Sequence, residues 1–468
     1  MKRALPAGRC LILLLAVAIV ARAATFGNPN VHVDEDFYFT VARAMWGGAI
    51  PYLDIWDRKP VGLFLLYMPP AALPFRWGVW AYQAMALAAV VATAFLVVHM
   101  ARRIAPDRGA LLAGIAYILW LNLAGGQGGQ AGVLHNLPMA GAAALILANE
   151  RRRFAPDAMA MLLVGIALQI KYSVVFEGMF FGLWIMWRLH ARGVAAARVA
   201  AQGAVLASIA LLPTAAAAGY YAAIGQGAAF GYANFFSIAA RKADPWTVRA
   251  GNLLHISLLL APLIGMAVAG RGAAPARRFV LAWFAVSLGA IIVFGDWYLH
   301  YALPAFLPGT VAAAPFLGRV RKRWSAAILL LVAVAGEGVV IGNIAGRGTT
   351  AQFAASTDAI GHGRGCLYVY SGTPMLYAST GRPACSRWMF PGHLYLAHEA
   401  GAVGVDQLAE IDRILARGPD VITMRPPASG ERAEARRRVM AVIGGHYWLV
   451  ARLPMGDEII SVYRRRKG

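Results

Sequence analysis

About eleven apolar runs follow one another along the chain, from 10 to 27, 79 to 100, 109 to 124, 134 to 149, 157 to 170, 173 to 187, 199 to 222, 250 to 268, 279 to 294, 302 to 317 and 325 to 343. A helix rises 1.5 Å per residue, so about 20 apolar residues cross a hydrocarbon core about 30 Å thick. Repeated runs near that length predict a bundle of membrane-crossing helices. The composition agrees: of 468 residues 59% are hydrophobic and 14% charged, against roughly 25% charged in a soluble domain. A soluble globular chain and a disordered one are both excluded, because disorder requires low hydrophobicity and high charge.

The formal net charge is +22, which in a soluble protein would point to nucleic acid. The basic residues instead sit in short clusters between the apolar runs, as cytoplasmic loops do under the positive-inside bias. With the N-terminus inside, the inner loops carry Lys2, Arg3 and Arg9; Arg102, Arg103 and Arg108; Arg151 to Arg153; Arg188, Arg192 and Arg198; Arg271, Arg277 and Arg278; and Arg319, Arg321, Lys322 and Arg323. These nineteen face eight on the other side: Arg43, Arg58, Lys59, Arg76, Lys171, Arg241, Lys242 and Arg249. The first run is expected to remain as a crossing rather than a cleaved signal, with Arg22 snorkelling outward. An odd number of crossings then puts the region from about 344 outside the cytoplasm. Compact size and basic loops suggest a bacterial inner membrane, with the C-terminal region in the periplasm.

That region changes character and holds ten of the 22 acids. Its helical DQLAEIDRILARG and strand-like CLYVYS, DVITM and EIISVY predict a small α/β domain. The expected fold is therefore a mainly α polytopic membrane protein with about eleven transmembrane helices, juxtamembrane helices and a small α/β domain. The transmembrane domain is expected over 1–343, with a catalytic outer loop at 28–78, and the outer domain over 344–468. Cys366 and Cys385 both fall in the latter, where an oxidising compartment would permit a disulfide.

Twelve acids lie outside that domain, and five of them crowd one outer loop: Asp34, Glu35, Asp36, Asp54 and Asp57. The loop reads HVDEDFYFTVARAMWGGAIPYLDIWDRKPVG. Phe37, Val41, Ala44 and Met45 recur at helical spacing, predicting a short amphipathic interfacial helix over 36–46. Gly47 and Gly48 can end it, and Pro51 prevents its resumption. Asp34 reads either as a helix N-cap or as a reactive carboxylate. Asp54, Asp57, Arg58 and Lys59 read either as a solvated turn or as part of a site. A carboxylate beside a lysine at a membrane interface suits transfer from a lipid phosphate ester to a hydroxyl. The carboxylate takes the proton of the hydroxyl, and cations stabilise the departing phosphate.

These residues resemble the GT-C membrane glycosyltransferases, particularly the protein O-mannosyltransferases and the bacterial lipid A aminoarabinose transferases. Asp34-Glu35, the following helix, PYLDIWDRKP and Gly62 match that pattern in order and spacing. Weaker likeness extends to HNLPMA at 135–140, GIALQIKYS around Lys171 and WYLHYALPAFLP at 297–308. The resemblance implies a GT-C-type bundle with Asp34 as catalytic base and Glu35 placing the acceptor or holding the loop. It also implies that Lys59 contacts the donor phosphate with Arg58 assisting, and that Lys171 faces the same cavity. Eukaryotic protein mannosyltransferases carry a large luminal insert that is absent here, so a protein acceptor does not follow.

Several residues keep two readings. Lys171, between two short apolar runs, is either functional or snorkels to the interface. His300 and Tyr301 are either interfacial or substrate contacts, and Asp54 and Asp57 join them as substrate-binding candidates. Arg241 with Lys242 either attracts anionic headgroups or donor phosphate, or belongs to a solvated loop. His135 and Asn136 carry weaker signals.

The leading expectation is an inverting transferase that moves a hexosyl or pentosyl unit from a polyprenyl-phosphate donor to a cell-envelope glycan or lipid. A lipid-linked donor accords with the lack of a glycine-rich nucleotide-binding turn. The alternative is a transporter or flippase of lipid-linked sugars without chemistry, which would favour repeated halves and midplane charges. A non-enzymatic scaffold is the third reading. Asp34, Glu35, Asp54 and Asp57 are potential ligands for a hard cation, yet the resemblance implies no required metal or other cofactor. Nucleic acid is not expected as a partner.

Overall fold

The computed structural model describes residues 5–466 apart from Arg152 and Ala273; Lys2, Arg3 and Arg152, counted among the inner charges, lie outside the described residues. Every one of the eleven apolar runs contains a helix. Among the described residues, eight helical stretches are long and apolar enough to cross a membrane. Asp107–Leu123, Phe154–Leu168 and Val175–His190 are shorter, at 17, 15 and 16 residues.

Packing divides the chain into two compact units. The first comprises Met1–Ala24, Ala84–Ala217 and Pro245–Val340. Its centre is the helix Leu303–Arg319, buried along nearly its whole length and packed on Asp107–Leu123, Trp246–Ala269 and Pro275–Phe294. Small residues allow the closest of these approaches: a Cβ on Gly109 would collide with the Ala314 carbonyl, and one on Gly318 would lie 3.1 Å from the Gly109 Cα. Such small-residue contacts let helices pack where lipid supplies no hydrophobic drive between them.

Several polar groups inside this unit are paired. Glu177 accepts from Ser287 Oγ at 2.5 Å, and Asn136 donates to Tyr117 Oη at 3.1 Å and the Leu303 carbonyl at 3.0 Å. Arg22 corrects an expectation. It ends α1 (Ala7–Arg22) and is buried rather than snorkelling, donating to the carbonyls of Gly126, Gln127 and Gly128. The glycine-rich turn after Asp107–Leu123 exposes these carbonyls, and a guanidinium with five donors can take several at once.

The second unit comprises Thr25–Gln83, Ala218–Asp244 and Ile341–Gly468. It therefore joins the first outer loop to the C-terminal region, whereas the composition change near 344 separates them. Its sheet has the order β1-β2-β4-β3, from β1 (Leu367–Val369), β2 (Val421–Met424), β3 (Tyr447–Met455) and β4 (Glu458–Arg465). The β1-β2 pair is parallel and the other two are antiparallel, with Ile422 opposite Tyr463 and a bulge in β3 near Leu449. Helices Gln407–Ala416 and Ala433–His446 pack against each other, and Ile411, Ile414, Val439 and Ile443 enter the core beside the strands. The same core takes in Trp56 of the outer loop. Cys366 and Cys385 are joined by a disulfide, which brackets the 19-residue excursion leading to the segment 387–393.

Candidate active site in the first outer loop

The site begins with how α2 (Val33–Trp46) starts. Its N-cap is His32, whose Nδ1 accepts from the Asp34 amide at 3.2 Å. The capping reading of Asp34 is thereby corrected: the acid stands inside the first turn, and its carboxylate lies 3.7 Å from His32 Nδ1 and 3.5 Å from Lys59 Nζ. Burial holds His32 down at about 4, outweighing the opposing pull of Asp34. A neutral imidazole keeps the lone pair that capping requires.

The helix expected over 36–46 is present within α2, which is exposed at Val33 and Trp46 and largely covered by protein between them. Residues Glu35 through Ala42 are all buried. The polar side accordingly faces protein, and Asp36 accepts from Thr373 Oγ1 at 2.7 Å. Burial raises the Asp36 carboxyl well above the usual range, against the lowering effect of that hydrogen bond. Glu35 is also fully buried, close enough to bear electrostatically on Tyr67, Tyr82 and Arg347. Gly47 caps the C-terminus and Gly48 has φ 91°, a conformation that costs a glycine little.

The chain then turns back through PYLDIWDRKP. Tyr52 sits at φ 71°, unusual for a bulky residue. It is held there by its amide, which donates to Ile55 O at 2.6 Å, and by its hydroxyl, which donates to the Lys59 carbonyl at 2.7 Å. The hydroxyl also reaches Asn234 Oδ1 at 3.3 Å. Tyr52 thus fixes the backbone of Lys59 directly.

Lys59 is the centre of the arrangement. Its Nζ lies 3.5 Å from Asp34 Oδ1 and 3.1 Å from Asp57 Oδ2. Phe37, Tyr38 and Phe390 place their rings 5.7, 5.4 and 5.4 Å from the same ammonium. Burial pulls the Lys59 pKa down, but Asp57 and Asp34 more than offset this and leave it raised. The ammonium therefore stays charged. Asp57 is nearly inaccessible and also accepts from the Arg58 and Lys59 amides. The Asp34 side chain, at 19% exposure, is the more open carboxylate of the pair.

Arg58 turns away from Lys59 and forms a two-pronged pair with Glu399, at 3.0 and 2.6 Å. Arg241 donates to the same carboxylate at 3.0 Å, and His398 stands between Glu399 and Asp244. Burial pushes Glu399 up, but Arg58, His393 and Arg241 outweigh it and hold the carboxyl at about 2. Arg58 and Arg241 are thus brought together around an acid. Asp54 is exposed and accepts from the Ile50 amide at 2.8 Å.

The remaining candidates belong to the first unit, where Lys171 Nζ lies 5.4 Å from the Tyr301 ring. Tyr301 packs edge-on to His300, with centroids 4.8 Å apart. His135 and Asn136 are fully buried between short helices, and Lys171 lies close enough to His135 to act on its charge. Sequence reasoning missed His32, Tyr52, Phe390, Thr373 and Glu399. Tyr52 carried a local hint in its position after Pro51; the others act across more than 300 residues or through a cap that histidine seldom provides. Among the described residues no group of three or more His, Cys, Asp or Glu is arranged to hold a metal ion.

No family model and no curated protein matches the sequence. Solved structures do. The chain is similar to ArnT from Cupriavidus metallidurans bound to undecaprenyl phosphate, with TM-score 0.63 and 15% identity over 96% of this chain and 97% of that one. The apo state of the same protein gives 0.47 at 15% identity over the same shares. Arabinosyltransferase EmbB from Mycobacterium smegmatis gives 0.42 at 14% identity, over 92% of this chain and 45% of that one. The first match extends over both chains almost end to end, and the chain accordingly has the ArnT-like GT-C fold.

Proposed function

We propose that the protein is an inverting glycosyltransferase that moves a sugar from a polyprenyl-phosphate donor to a glycan or lipid of the cell envelope. The observation that carries this reading is the pairing of the partly open Asp34 carboxylate with the Lys59 ammonium at 3.5 Å. The GT-C fold shared with an undecaprenyl-phosphate-bound transferase supports it.

In this mechanism Asp34 takes the proton of the acceptor hydroxyl as its oxygen attacks the anomeric carbon. The bond from that carbon to the phosphate oxygen breaks, and its electrons leave with the phosphate. Lys59 meets the charge as it develops. One displacement inverts the anomeric centre. Glu35, with no accessible surface, holds the start of α2 rather than touching the acceptor. Arg58 and Arg241 brace the loop through Glu399. The charge bias of the loops supports a location in the bacterial inner membrane with the N-terminus inside and the C-terminal region in the periplasm.

The test offers purified protein a panel of polyprenyl-phosphate sugars with envelope lipid and glycan extracts, with and without EDTA. The expected result is release of polyprenyl phosphate, a product of inverted anomeric configuration, and rates unaffected by EDTA. No donor consumed across the panel would contradict the reading and favour transport without chemistry. Retained configuration would contradict the single displacement, and loss with EDTA restored by manganese would contradict metal independence.

A further inference from the structure

A cavity of about 440 Å³ in the second unit is lined by Arg43, Asp54, Arg382, Arg387, Met389 and Arg417 among others. Its size lies within the range of small-molecule sites. Four arginines line it, and the opposing charges are Asp54 on the lining, Asp420 paired with Arg382, and Glu410 behind the lining residue Ser386. A concave surface of one sign concentrates field and draws in ions of the other.

The four arginines differ in what they already hold. Arg43 donates to the carbonyls of Ala71 and Leu73, and Arg382 is buried and tied to the Gly361, His362 and Gly365 carbonyls. These two are fixed charges. Arg417 is exposed and makes one hydrogen bond, to Cys385 O at 2.7 Å. Arg387 is exposed, lies over the Trp388 ring at 4.3 Å, and its guanidinium makes no hydrogen bond or ion pair among the described residues. Most of the donors of Arg387 and Arg417 are therefore uncommitted, in the fork geometry that matches phosphate and carboxylate.

This cavity shares its walls with the Lys59 site. Asp54 and Ile55 line it just before Asp57 and Lys59. Met389 lines it, while the next residue, Phe390, places its ring 5.4 Å from Lys59 Nζ. The two walls are joined where the Trp56 amide donates to Arg387 O at 2.9 Å. An anion held here would lie one layer of side chains from the reacting pair.

We propose that this cavity is a subsite for an anionic group, phosphate or carboxylate, carried by the acceptor; the assignment to the acceptor rests on the transferase reading, whereas the anion site itself does not. Arg387 and Arg417 grip the group, and Arg43 and Arg382 supply the surrounding field. The acceptor class is then a glycan or lipid bearing an acidic substituent.

The test uses the full chain in detergent or nanodiscs, with pyrophosphate as the probe anion. Compared are wild type, the double variant Arg387→Gln/Arg417→Gln, and Arg452→Gln, an exposed arginine on β3 away from the cavity. Expected is saturable binding to wild type and Arg452→Gln, weakened at least about tenfold in the double variant by loss of two charged hydrogen-bonding groups. An unchanged thermal midpoint would show that the double variant is folded. In transfer assays the double variant should raise the acceptor KM with kcat and donor KM unchanged, and phosphatase treatment or carboxyl reduction of the acceptor should do the same to wild type. Equal pyrophosphate binding by double variant and wild type would overturn the site. Weakened binding with an unchanged acceptor KM would overturn the acceptor assignment and identify a free anion as the ligand. Binding that depends on the arginines in a protein that transfers no sugar would uphold the anion site while the transferase reading fails.

Discussion

Asp34, Lys59 and Asp57 form a three-membered charge arrangement in which one ammonium stands between two carboxylates of unequal access. Asp57, held by two backbone amides and the ammonium, orients Lys59. His32 rather than Asp34 caps α2. Replacing Lys59 with glutamine should therefore raise the donor KM by at least about tenfold, as expected for losing a charged hydrogen bond worth about 1.5–3 kcal/mol. Initial-rate kinetics with varied donor would read this, and an unchanged donor KM would remove Lys59 from the donor site. At this scale the crowding of acids in one loop pointed to Asp34, Asp57 and Lys59, and the fold brings both carboxylates within 3.5 Å of the lysine ammonium. The sequence did not disclose the cage of Phe37, Tyr38 and Phe390, because Phe390 lies more than 300 residues away and aromatic residues at such distance carry no spacing signal.

The elements that present these side chains are α2 and the turn that follows it. The turn is held by a strained Tyr52 whose hydroxyl grips the Lys59 carbonyl, and by Arg58 clasped to Glu399. With the Glu399 carboxyl at about 2 against an ordinary 4.5, the clasp adds stability that is complete above pH 4.5. That stability is lost as pH falls towards 2, and amounts to about 3 kcal/mol. Arg58, Arg241, His393, His398, Asp57 and Asp244 are the charged or titratable groups around it. Thermal melts from pH 6 down to 2.5 should show the wild type losing stability across this window and Glu399→Gln losing less, starting from a lower plateau. Parallel pH profiles for the two proteins would contradict the clasp. The extent of α2 and its glycine stop were legible from local sequence. Its burial on every side was not, because hydrophobic periodicity reports one face and the covering residues, Thr373 among them, come from the far end of the chain.

For the molecule as a whole, the apolar runs marked eleven helical segments and the C-terminal patterns marked the helix Gln407–Ala416, leaving Val61–Ala71, Thr350–Ile360 and Ala433–His446 among those unread; of the four described strands the same patterns marked three. The fourth, β3, went unread, since its YWLVARLPM alternates poorly and contains a proline. Composition could not show that the outer loop shares a core with the C-terminal region, because Trp56 and Ile411 meet through packing rather than through order along the chain. The charge bias predicts that alkaline phosphatase fused after residue 466 is active and that a fluorescent protein fused there is dark; the reverse would invert the topology. The central claim is that Asp34 is the base of a sugar transfer. It is tested most directly by donor turnover in wild type and Asp34→Asn, since asparagine keeps the shape and cannot take the proton. The account predicts a variant that binds donor and turns it over at least about 100-fold more slowly; equal turnover would contradict it.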